Sequence, residues 1–502
     1  MDEPSQQPVI DFLERPATHG GEVQRIDTHA ASVFLGPQRA LKIKRAVRFA
    51  FLDFSTLEKR KTACEAEIAV NKPYAPQIYR RVVAITRAAD GTLEIGGNGT
   101  PVEYAVEMNR FDETQSLDRL AEAGRLDVKL ADRLGRAVAQ AHGKAPAVRD
   151  AKFAAALDEI VNQNNDELGQ APDLFASDAV KALNGATREA LDRLRPLLMK
   201  RERDGAVRRC HGDLHLGNIV LIDGEPVLFD ALEFDPRLAT IDLLYDLAFL
   251  LMDMIARGLT PLANIVLDRY LGERADDGDL DALGLLPLMM SVRAAIRAKV
   301  TAARPKRDAS IEQSARDYFA LAQRLLQPQK PMLIATGGLS GTGKSLLARA
   351  LCPEIAPLPG AVLLRSDVIR KTMFGKGETD RLPPDAYKSE VTAKVYAELA
   401  AKARRVLAAG HSAIADAVFA RQGERAIIGN AAPGAFQGLF LTADLDTRIA
   451  RVGGRKNDAS DADANIARAQ EQYDLGALDW QEVDASGTPQ ETLARAKKAL
   501  GL

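Results

Sequence analysis

The hydrophobic pattern of the chain changes near residue 330. Beyond this point apolar strand patterns alternate with helical ones, beginning with a strand at 331–338 and a helix at 344–351. The later strand patterns lie at 361–367, 412–419, 436–443 and 480–486, and a closing helix is expected near 489–500. Buried strands that alternate with helices are typical of a parallel sheet covered on both faces. The pattern therefore predicts an α/β domain with a parallel sheet over residues 328–502.

The chain before residue 328 follows another pattern. Residues from about 23 to 110 contain several short strand-like runs, and residues from about 111 to 327 are mostly helical. A strand-rich lobe followed by a helical lobe predicts an α+β, bilobal domain over residues 1–327. The segment LLQPQKPML (325–333), with two prolines, marks the boundary between the two predicted domains.

Composition narrows the class of protein. The chain has 502 residues, which predicts two or three domains, and its formal net charge is −2. This balance gives no general electrostatic reason to bind nucleic acid or a membrane. The three cysteines are too far apart for a disulfide framework, and the acidic N-terminus lacks the apolar stretch of a signal peptide. We expect a cytoplasmic protein with reduced thiols.

Residues 338–345 read GLSGTGKS, which fits the P-loop pattern between a predicted strand and a predicted helix. Glycines at 338, 341 and 343 allow the backbone N–H groups to wrap around phosphates. Lys344 is expected to contact the β- and γ-phosphates of ATP, and Ser345 to ligate Mg²⁺. The predicted nucleotide-binding residues of this loop are Gly338, Gly341, Thr342, Gly343, Lys344 and Ser345.

Polar residues follow the next strands of this domain. Asp367 comes directly after a strand and is a candidate base for an acceptor hydroxyl, or else a helix cap. Arg370 is a candidate for holding the acceptor or the transferring phosphate. Asp416 ends another strand and is a candidate Mg²⁺ partner, or else a turn residue.

Three arginines follow the strand at 436–443. Arg448, Arg451 and Arg455 are spaced by three and four residues, as on one face of a helix. We predict that they form a lid that closes over the phosphates. The alternative is a solvated helix face with extended arginine side chains.

The motifs of residues 330–502 resemble those of the small P-loop kinases. The residues that carry this resemblance are GLSGTGKS, RSDVIRK (365–371), the strand ending at Asp416 and the arginine-rich stretch before 458–463. The group includes gluconate kinase, chloramphenicol phosphotransferase, zeta toxin and the kinase domain of polynucleotide kinase. The resemblance implies an adenylate-kinase-like sheet, Asp367 as base and a mobile lid, but no particular acceptor.

A second constellation lies at 211–218, which read HGDLHLGN. The pattern H-x-D-x4-N, followed by a strand, a turn, a strand and Asp230, is the catalytic-loop layout of protein-kinase-like enzymes. Asp213 is expected to meet the acceptor hydroxyl, while Asn218 and Asp230 ligate Mg²⁺ and His211 braces the loop. The alternative is an ordinary polar turn.

The strand-rich lobe is expected to supply a lysine and a glutamate for ATP. Lys42 and Lys44 share one face of a predicted strand, so either is able to reach the phosphates, and Lys42 is preferred. Glu67 is the predicted ion-pair partner, with Glu65 as the alternative. The backbone at Glu107 and Met108 is predicted to contact adenine.

This half resembles the aminoglycoside phosphotransferase group of the kinase-like superfamily, through HGDLHLGNI and the strand of Asp230. The resemblance implies that Asp246 braces the catalytic loop. The order of the two domains resembles the bifunctional aminoglycoside phosphotransferase/ATP-binding proteins. Two features depart from the kinase pattern: the lobe lacks GxGxxG, and the residues after Asp230 read AL rather than FG.

Together these features predict an ATP- and Mg²⁺-dependent phosphotransferase with two sites, each acting on a hydroxyl of a small molecule. No acidic run in residues 231–327 suits a polycationic drug, and Arg293, Arg297 and Lys299 would favour an anionic acceptor if they face the cleft. The alternatives are an ATP-binding sensor, and a polynucleotide kinase or RNA-modifying toxin. An aromatic content of 5% argues against a surface that stacks nucleic-acid bases.

Overall fold

The computed structural model describes residues 5–49, 52–453, 459–461 and 463–502. The chain packs as two compact units, each built from two stretches of sequence. The first comprises Met1–Leu157 and Leu198–Asp253, and the second comprises Asp158–Leu197 and Met254–Leu502. The boundary between residues 327 and 328 stays a prediction from the sequence pattern.

The first unit begins with a six-stranded antiparallel sheet and one long helix. Its elements are α1 (Gln7–Leu13), α2 (Pro16–His19), β1 (Gln24–Asp27), β2 (Ala31–Leu35), β3 (Arg39–Lys44), β4 (Arg48–Phe49), β5 (Leu52–Asp53), α3 (Leu57–Asn71), β6 (Tyr79–Arg87), β7 (Leu93–Ile95) and β8 (Thr100–Asn109). The sheet order is β1-β2-β3-β8-β6-β7. Leu41 and Ile43 of β3 enter the core with Phe34 and Ile85. Because side chains alternate along a strand, Lys42 and Lys44 lie on the opposite face.

Helices, one short hairpin and one further pair of antiparallel strands, β9 and β12, follow along the chain. They are α4 (Leu117–Glu122), α5 (Val128–Lys144), α6 (Phe153–Gly169), α7 (Ser177–Arg203), β9 (Val207–Arg209), β10 (Ile219–Ile222), β11 (Glu225–Leu228), α8 (Pro236–Ala239), β12 (Thr240–Asp242) and α9 (Leu243–Ala256). Strands β10 and β11 pair antiparallel and form the hairpin expected between Asn218 and Asp230. The antiparallel sheet and the helices that follow it confirm the predicted α+β arrangement.

The second unit carries the parallel sheet. Its later elements are α10 (Thr260–Arg274), α11 (Asp277–Asp281), α12 (Leu286–Ala302), α13 (Ala309–Leu325), β13 (Leu333–Gly338), α14 (Lys344–Leu351), β14 (Val362–Arg365), α15 (Ser366–Met373), α16 (Ser389–Ala408), β15 (Ala413–Asp416), α17 (Gln422–Gly429), β16 (Phe436–Thr442), α18 (Leu445–Gly453), α19 (Ala464–Ala469), β17 (Gln481–Asp484) and α20 (Pro489–Leu500). The strand order is β14-β15-β13-β16-β17, and every pairing is parallel. The predicted α/β fold is confirmed.

The core of this sheet places the candidate residues at one edge. Ile334, Ile414 and Leu439 of three neighbouring strands are fully buried and pack with Leu347 of α14. The P-loop therefore leaves the carboxyl end of the central strand β13, between strands whose own carboxyl ends carry the other polar residues. This is the edge at which ligands bind in open α/β sheets.

Helix α10 covers the open edge of β14. The side-chain amide of Asn264 donates to the carbonyl oxygen of Ala361 at 3.1 Å, and the N–H of Leu363 donates to Asp268 Oδ1 at 3.0 Å. Since residues four apart share a helix face, one face of α10 supplies hydrogen-bond partners for backbone groups at the start of this edge strand. This helix, which the sequence pattern groups with the N-terminal domain, thus completes the second unit.

In the part of the chain that the structure describes, no helix is both long enough and apolar enough to cross a bilayer.

Candidate active sites

The loop at 211–218 brings Asp213 and Asn218 together. Its last three residues, Leu216–Asn218, form a 3-10 turn. The amide of Asn218 donates to Asp213 Oδ2 at 2.9 Å and to the Asp213 carbonyl oxygen at 3.0 Å. His215 Nδ1 accepts from the N–H of Gly217 at 3.1 Å, so its Nε2 carries the proton, 3.5 Å from Asp213 Oδ2. The half-buried Asp213 carboxylate is thus oriented by two side chains of its own loop.

Helix α9 holds this loop in place. Two oxygens of Asp246 accept from the backbone N–H groups of His211, at 3.1 Å, and Gly212, at 2.9 Å. Two turns further along, Asp253 accepts from the N–H of Leu216 at 3.1 Å. Burial lowers the pKa of the His211 ring, which agrees with a neutral imidazole whose Nε2 donates to a carbonyl oxygen. The role that the resemblance implied for Asp246 agrees with this geometry.

Both lysines of β3 contact Glu67. Lys42 Nζ lies 2.9 Å from Glu67 Oε1 and 2.8 Å from Asp230 Oδ1. Lys44 Nζ lies 2.6 Å from Glu67 Oε2 and 2.5 Å from Glu233 Oε1. Burial alone would raise the pKa of Glu67, but the two lysines lower it to about 2. Only Lys42 of the pair contacts the predicted Mg²⁺ ligand Asp230, and Glu233 was not predicted from the sequence.

The backbone at Asp230 has a left-handed conformation, with φ of 59°. Such a conformation costs a non-glycine residue about 1–3 kcal/mol and needs support from its surroundings. The N–H of Asp230 donates to the Tyr79 hydroxyl at 3.1 Å, and Asn71 forms hydrogen bonds with both backbone groups of Ala231. Neither Tyr79 nor Asn71 was predicted. Glu65, the alternative to Glu67, is exposed.

Glu107 and Met108 lie inside the sheet. Strand β8 pairs with β3 on one side and β6 on the other, and Met108 faces Ala40 and Tyr79. The buried side chain of Glu107 contacts Arg39 at 3.3 Å and Arg81 at 2.9 Å. The side chain of Glu107 is thus engaged by strand neighbours, and the contact of this segment with adenine stays a prediction.

The P-loop has the backbone that close contact with phosphates requires. Gly338, Gly341 and Gly343 have φ values of 141°, 90° and 92°. A Cβ atom at Gly341 would lie 2.4 Å from the carbonyl oxygen of Arg448. Lys344 is buried as the first residue of α14, and Ser345 is half-buried behind it. A loop with glycines at positive φ that leads into a helix N-terminus presents backbone N–H groups to the phosphates of a nucleotide.

Asp416 fits a cation ligand. Its side chain is buried, and Oδ2 lies 3.3 Å from Arg365 Nε. Its Oδ1 has no hydrogen-bond partner among the described residues. A buried carboxylate oxygen without a donor is costly unless a cation contacts it. Asp416 and Ser345 therefore suit Mg²⁺ held beside a nucleotide.

The environment of Asp367 suits a proton acceptor. Burial raises the pKa of Asp367, with the Asp416 carboxylate acting in the same direction and the charges of Lys344, Arg365 and Arg370 opposing it. A carboxylate with a raised pKa accepts a proton more readily near neutral pH.

Arg370 is buried and packs against the segment before α16. Its Nη1 donates to the carbonyl oxygen of Ala386 at 2.6 Å and to Thr392 Oγ1 at 3.3 Å, and its guanidinium lies 5.1 Å from the ring centre of Tyr387. Its charge acts on Asp367, and its contact with a phosphate stays a prediction.

Two of the three predicted lid arginines donate hydrogen bonds to backbone carbonyl oxygens of the P-loop. Arg448 is fully buried, and its Nε donates to the carbonyl oxygen of Ser340 at 2.9 Å. Arg451 donates to the carbonyl oxygens of Thr342, at 3.4 Å, and Gly487, at 3.0 Å. Arg455 lies outside the described residues. No pattern along the chain signals this supporting role, and the closing lid stays a prediction.

Arg297 and Lys299 of α12 have contacts within the second unit. Arg293 is buried, Arg297 lies 5.4 Å from the ring centre of Tyr318, and Lys299 Nζ lies 2.9 Å from Glu167 Oε1. These contacts assign Arg297 and Lys299 to packing between helices of this unit.

Comparison with known proteins gives two family matches. The model of the phosphotransferase enzyme family matches residues 48–284, and a model described as an AAA domain matches residues 333–475. The uncharacterized protein Rv2004c of Mycobacterium tuberculosis is 29% identical over 514 aligned positions, covering 99% of this chain and 98% of that protein. The uncharacterized protein Mb2027c of Mycobacterium bovis matches with the same values.

Solved structures resemble each half of the chain separately. A choline/ethanolamine kinase family protein from Mesorhizobium loti covers 64% of this chain and 95% of its own, with 16% identity and a TM-score of 0.39. A sugar kinase from Janibacter sp. HTCC2649 covers 34% and 95%, with 19% identity and a TM-score of 0.28. A gluconokinase from Sinorhizobium meliloti covers 34% and 93%, with 20% identity and a TM-score of 0.26.

The family matches occur in the predicted order, with the phosphotransferase match preceding the P-loop match. The chain therefore carries a domain of the phosphotransferase enzyme family followed by a C-terminal P-loop domain, and it is a phosphotransferase enzyme.

Proposed function

We propose that this chain has two ATP-dependent active sites. Each transfers the γ-phosphoryl group of ATP to a hydroxyl of a small molecule such as a sugar, a nucleoside or another metabolite. The observation that carries the proposal is that the residues predicted as base, cation ligands and phosphate-binding lysine of each site all fall within one compact unit. The two sets are Lys42, Asp213, Asn218 and Asp230 in the first unit, and Lys344, Ser345, Asp367 and Asp416 in the second.

In the first site, Asp213 accepts the proton of the acceptor hydroxyl. His215 and Asn218 hold the carboxylate toward the acceptor, and Lys42 binds the phosphates while Glu67 fixes the lysine. Asn218 and Asp230 would hold Mg²⁺, which supplies neutralisation of the phosphate charge when bound. A bond forms between the acceptor oxygen and the γ-phosphorus as the bond to the β-phosphate oxygen breaks, with the proton on Asp213.

In the second site, Asp367 accepts the proton, because its raised pKa suits it to this step. The P-loop N–H groups and Lys344 bind the phosphates, and Ser345 and Asp416 would hold Mg²⁺. The buried Arg448 keeps the loop in shape through the Ser340 carbonyl oxygen. Positioning and charge neutralisation supply most of the catalysis in such transfers.

We also propose the cytoplasm as the location of the protein. This is supported by the three cysteines, all of which are buried free thiols.

The test is ATP turnover with Mg²⁺ against a library of hydroxylated metabolites. Wild type is compared with D213N and D367N, and D178N is the matched control because Asp178 is 99% exposed. We expect an acceptor to stimulate turnover and one of the two substitutions to abolish that stimulation. If ATP binds but no acceptor is phosphorylated, and both variants match wild type, the chain is an ATP-binding sensor instead.

A further inference from the structure

Glu378, in the segment between α15 and α16, lies among three arginines. Arg269 Nη2 is 2.8 Å from Glu378 Oε2, while Arg365 Nη1 is 3.2 Å and Arg349 Nη2 is 4.0 Å from Glu378 Oε1. The arginines come from α10, the end of β14 and α14. Burial alone would raise the pKa of Glu378, but the charges of these arginines lower it. The glutamate is therefore a carboxylate at neutral pH.

The arginine cluster (Arg269, Arg349 and Arg365) adjoins the proposed phosphoryl-transfer site. Arg365 contacts Glu378 through Nη1 and the proposed cation ligand Asp416 through Nε. Its charge also acts on the proposed base Asp367. Arg349 lies on α14, one helical turn beyond Ser345. An anion bound by this cluster would therefore lie beside the reacting groups.

Glu378 is a carboxylate that all three arginines of the cluster contact. Arg269 also contacts Glu273 at 3.5 Å, and Arg365 contacts Asp416 at 3.3 Å. If Glu378 leaves, Arg269 keeps its contact with Glu273 and Arg365 keeps its contact with Asp416. The position between the three guanidinium groups is then open to a planar or tetrahedral anion with several oxygens.

The position of Glu378 in the chain allows its carboxylate to leave the arginines and another anion to replace it. Glu378 lies in the connecting segment 374–388, in which Phe374 and Tyr387 are exposed, as is Met373 directly before it. The loop is held to α15 through Lys371 Nζ, which donates to the carbonyl oxygen of Glu378 at 2.8 Å. That bond uses the backbone, so the carboxylate is able to leave the arginines without breaking it.

We propose that the arginine cluster binds an anionic group of the acceptor, either phosphoryl or carboxylate, and that Glu378 occupies this position until the acceptor displaces it. The inference rests on the proposed function of the P-loop site and narrows its substrate class. The acceptor then carries an anionic group bound by the cluster and a hydroxyl that faces Asp367.

The test measures binding of three probes of similar size and different charge. The nucleotide site is first filled with Mg²⁺ and a non-hydrolysable ATP analogue, so that the P-loop itself binds no probe. Glycerol 3-phosphate, glycerate and glycerol are then titrated by calorimetry into wild type, E378Q, R269Q/E378Q and the matched surface control R495Q. Thermal melting confirms that each variant is folded.

We expect E378Q to bind at least one anionic probe about tenfold tighter than wild type, because the competing carboxylate is gone. R269Q/E378Q should lose this gain, and R495Q should match wild type. Binding of glycerol should not change. The probe whose affinity rises distinguishes a phosphoryl group from a carboxylate.

The proposal is overturned if E378Q binds both anionic probes no better than wild type, since the cluster then only fixes the loop. Transfer assays separate this from failure of the proposed function. Phosphorylation of neutral acceptors that depends on Asp367 would keep the proposed function and reject the anion site. Tighter anion binding by E378Q, with no transfer to any acceptor, would reject the proposed function at this site and keep the anion site.

Discussion

The two lysines of β3 provide a sharp test of the first site. Lys42 and Lys44 share Glu67, but Lys42 also contacts Asp230 at 2.8 Å, whereas Lys44 contacts Glu233 at 2.5 Å. Only 3% of the Lys44 side chain is exposed, against 15% for Lys42. We therefore expect Lys42→Met to impair phosphoryl transfer and Lys44→Met to impair folding.

The expected magnitudes follow from the partners that each substitution leaves behind. Lys44→Met removes a shared cation from Glu67 and Glu233, and breaking a buried ion pair from one side costs about 3–5 kcal/mol. Lys42→Met leaves Glu67 paired with Lys44, so we expect a smaller loss of about 1–2 kcal/mol. Removing a charge contact to the reacting phosphates lowers kcat by about 10²–10³-fold.

Stability is measured by urea denaturation, and kcat/KM for ATP is measured with a stimulating acceptor in a D367N background that silences the second site. The double variant K44M/E233Q is the control, because it removes one carboxylate together with the lysine and should recover part of the lost stability. The reasoning is refuted if Lys42→Met keeps the wild-type kcat/KM while Lys44→Met loses activity without losing stability.

Two further predictions concern the second unit. Burial lowers the pKa of His411 to about 4, so the unfolded chain binds a proton at this residue more readily than the folded chain does. The free energy of unfolding should therefore reach its full value above about pH 6.5, and it should fall by up to about 3 kcal/mol as the pH is lowered toward 4. Urea denaturation across this range should show that the free energy of unfolding of His411→Gln depends less on pH than that of wild type. An equal pH dependence of the two proteins would contradict the role given to His411. Gly341→Ala should weaken ATP binding at the P-loop by at least about tenfold, because its Cβ would meet the Arg448 carbonyl oxygen at 2.4 Å in a left-handed backbone. Gly423→Ala, with open space around its Cβ, is the control, and equal ATP affinity of the two variants would argue against this contact.

Sequence reasoning succeeded where the signal is local. The glycines and lysine of the P-loop pattern lie within eight consecutive residues between β13 and α14, and Asp213 and Asn218 meet within one loop. Alternation of buried strands and helices predicted the parallel sheet, because both faces of such a sheet must be covered.

Contacts between distant parts of the chain could not be predicted in this way. Tyr79 supports Asp230 from 151 positions away, and Asn71 supports Ala231 from 160 positions away. The spacing of the arginines predicted a helix face but not its direction, and Arg448 faces the P-loop rather than solvent. Helix α10 belongs to the second unit because of its bonds to β14, which no local pattern shows.

The number of ATP molecules bound per chain tests the central claim most directly. Equilibrium dialysis with a non-hydrolysable ATP analogue and Mg²⁺ is carried out on wild type, K42M, K344A and the double variant. Two independent sites predict two equivalents for wild type, one for each single variant and none for the double variant. One equivalent in wild type, lost completely in one single variant and retained in the other, would contradict the claim of two ATP sites.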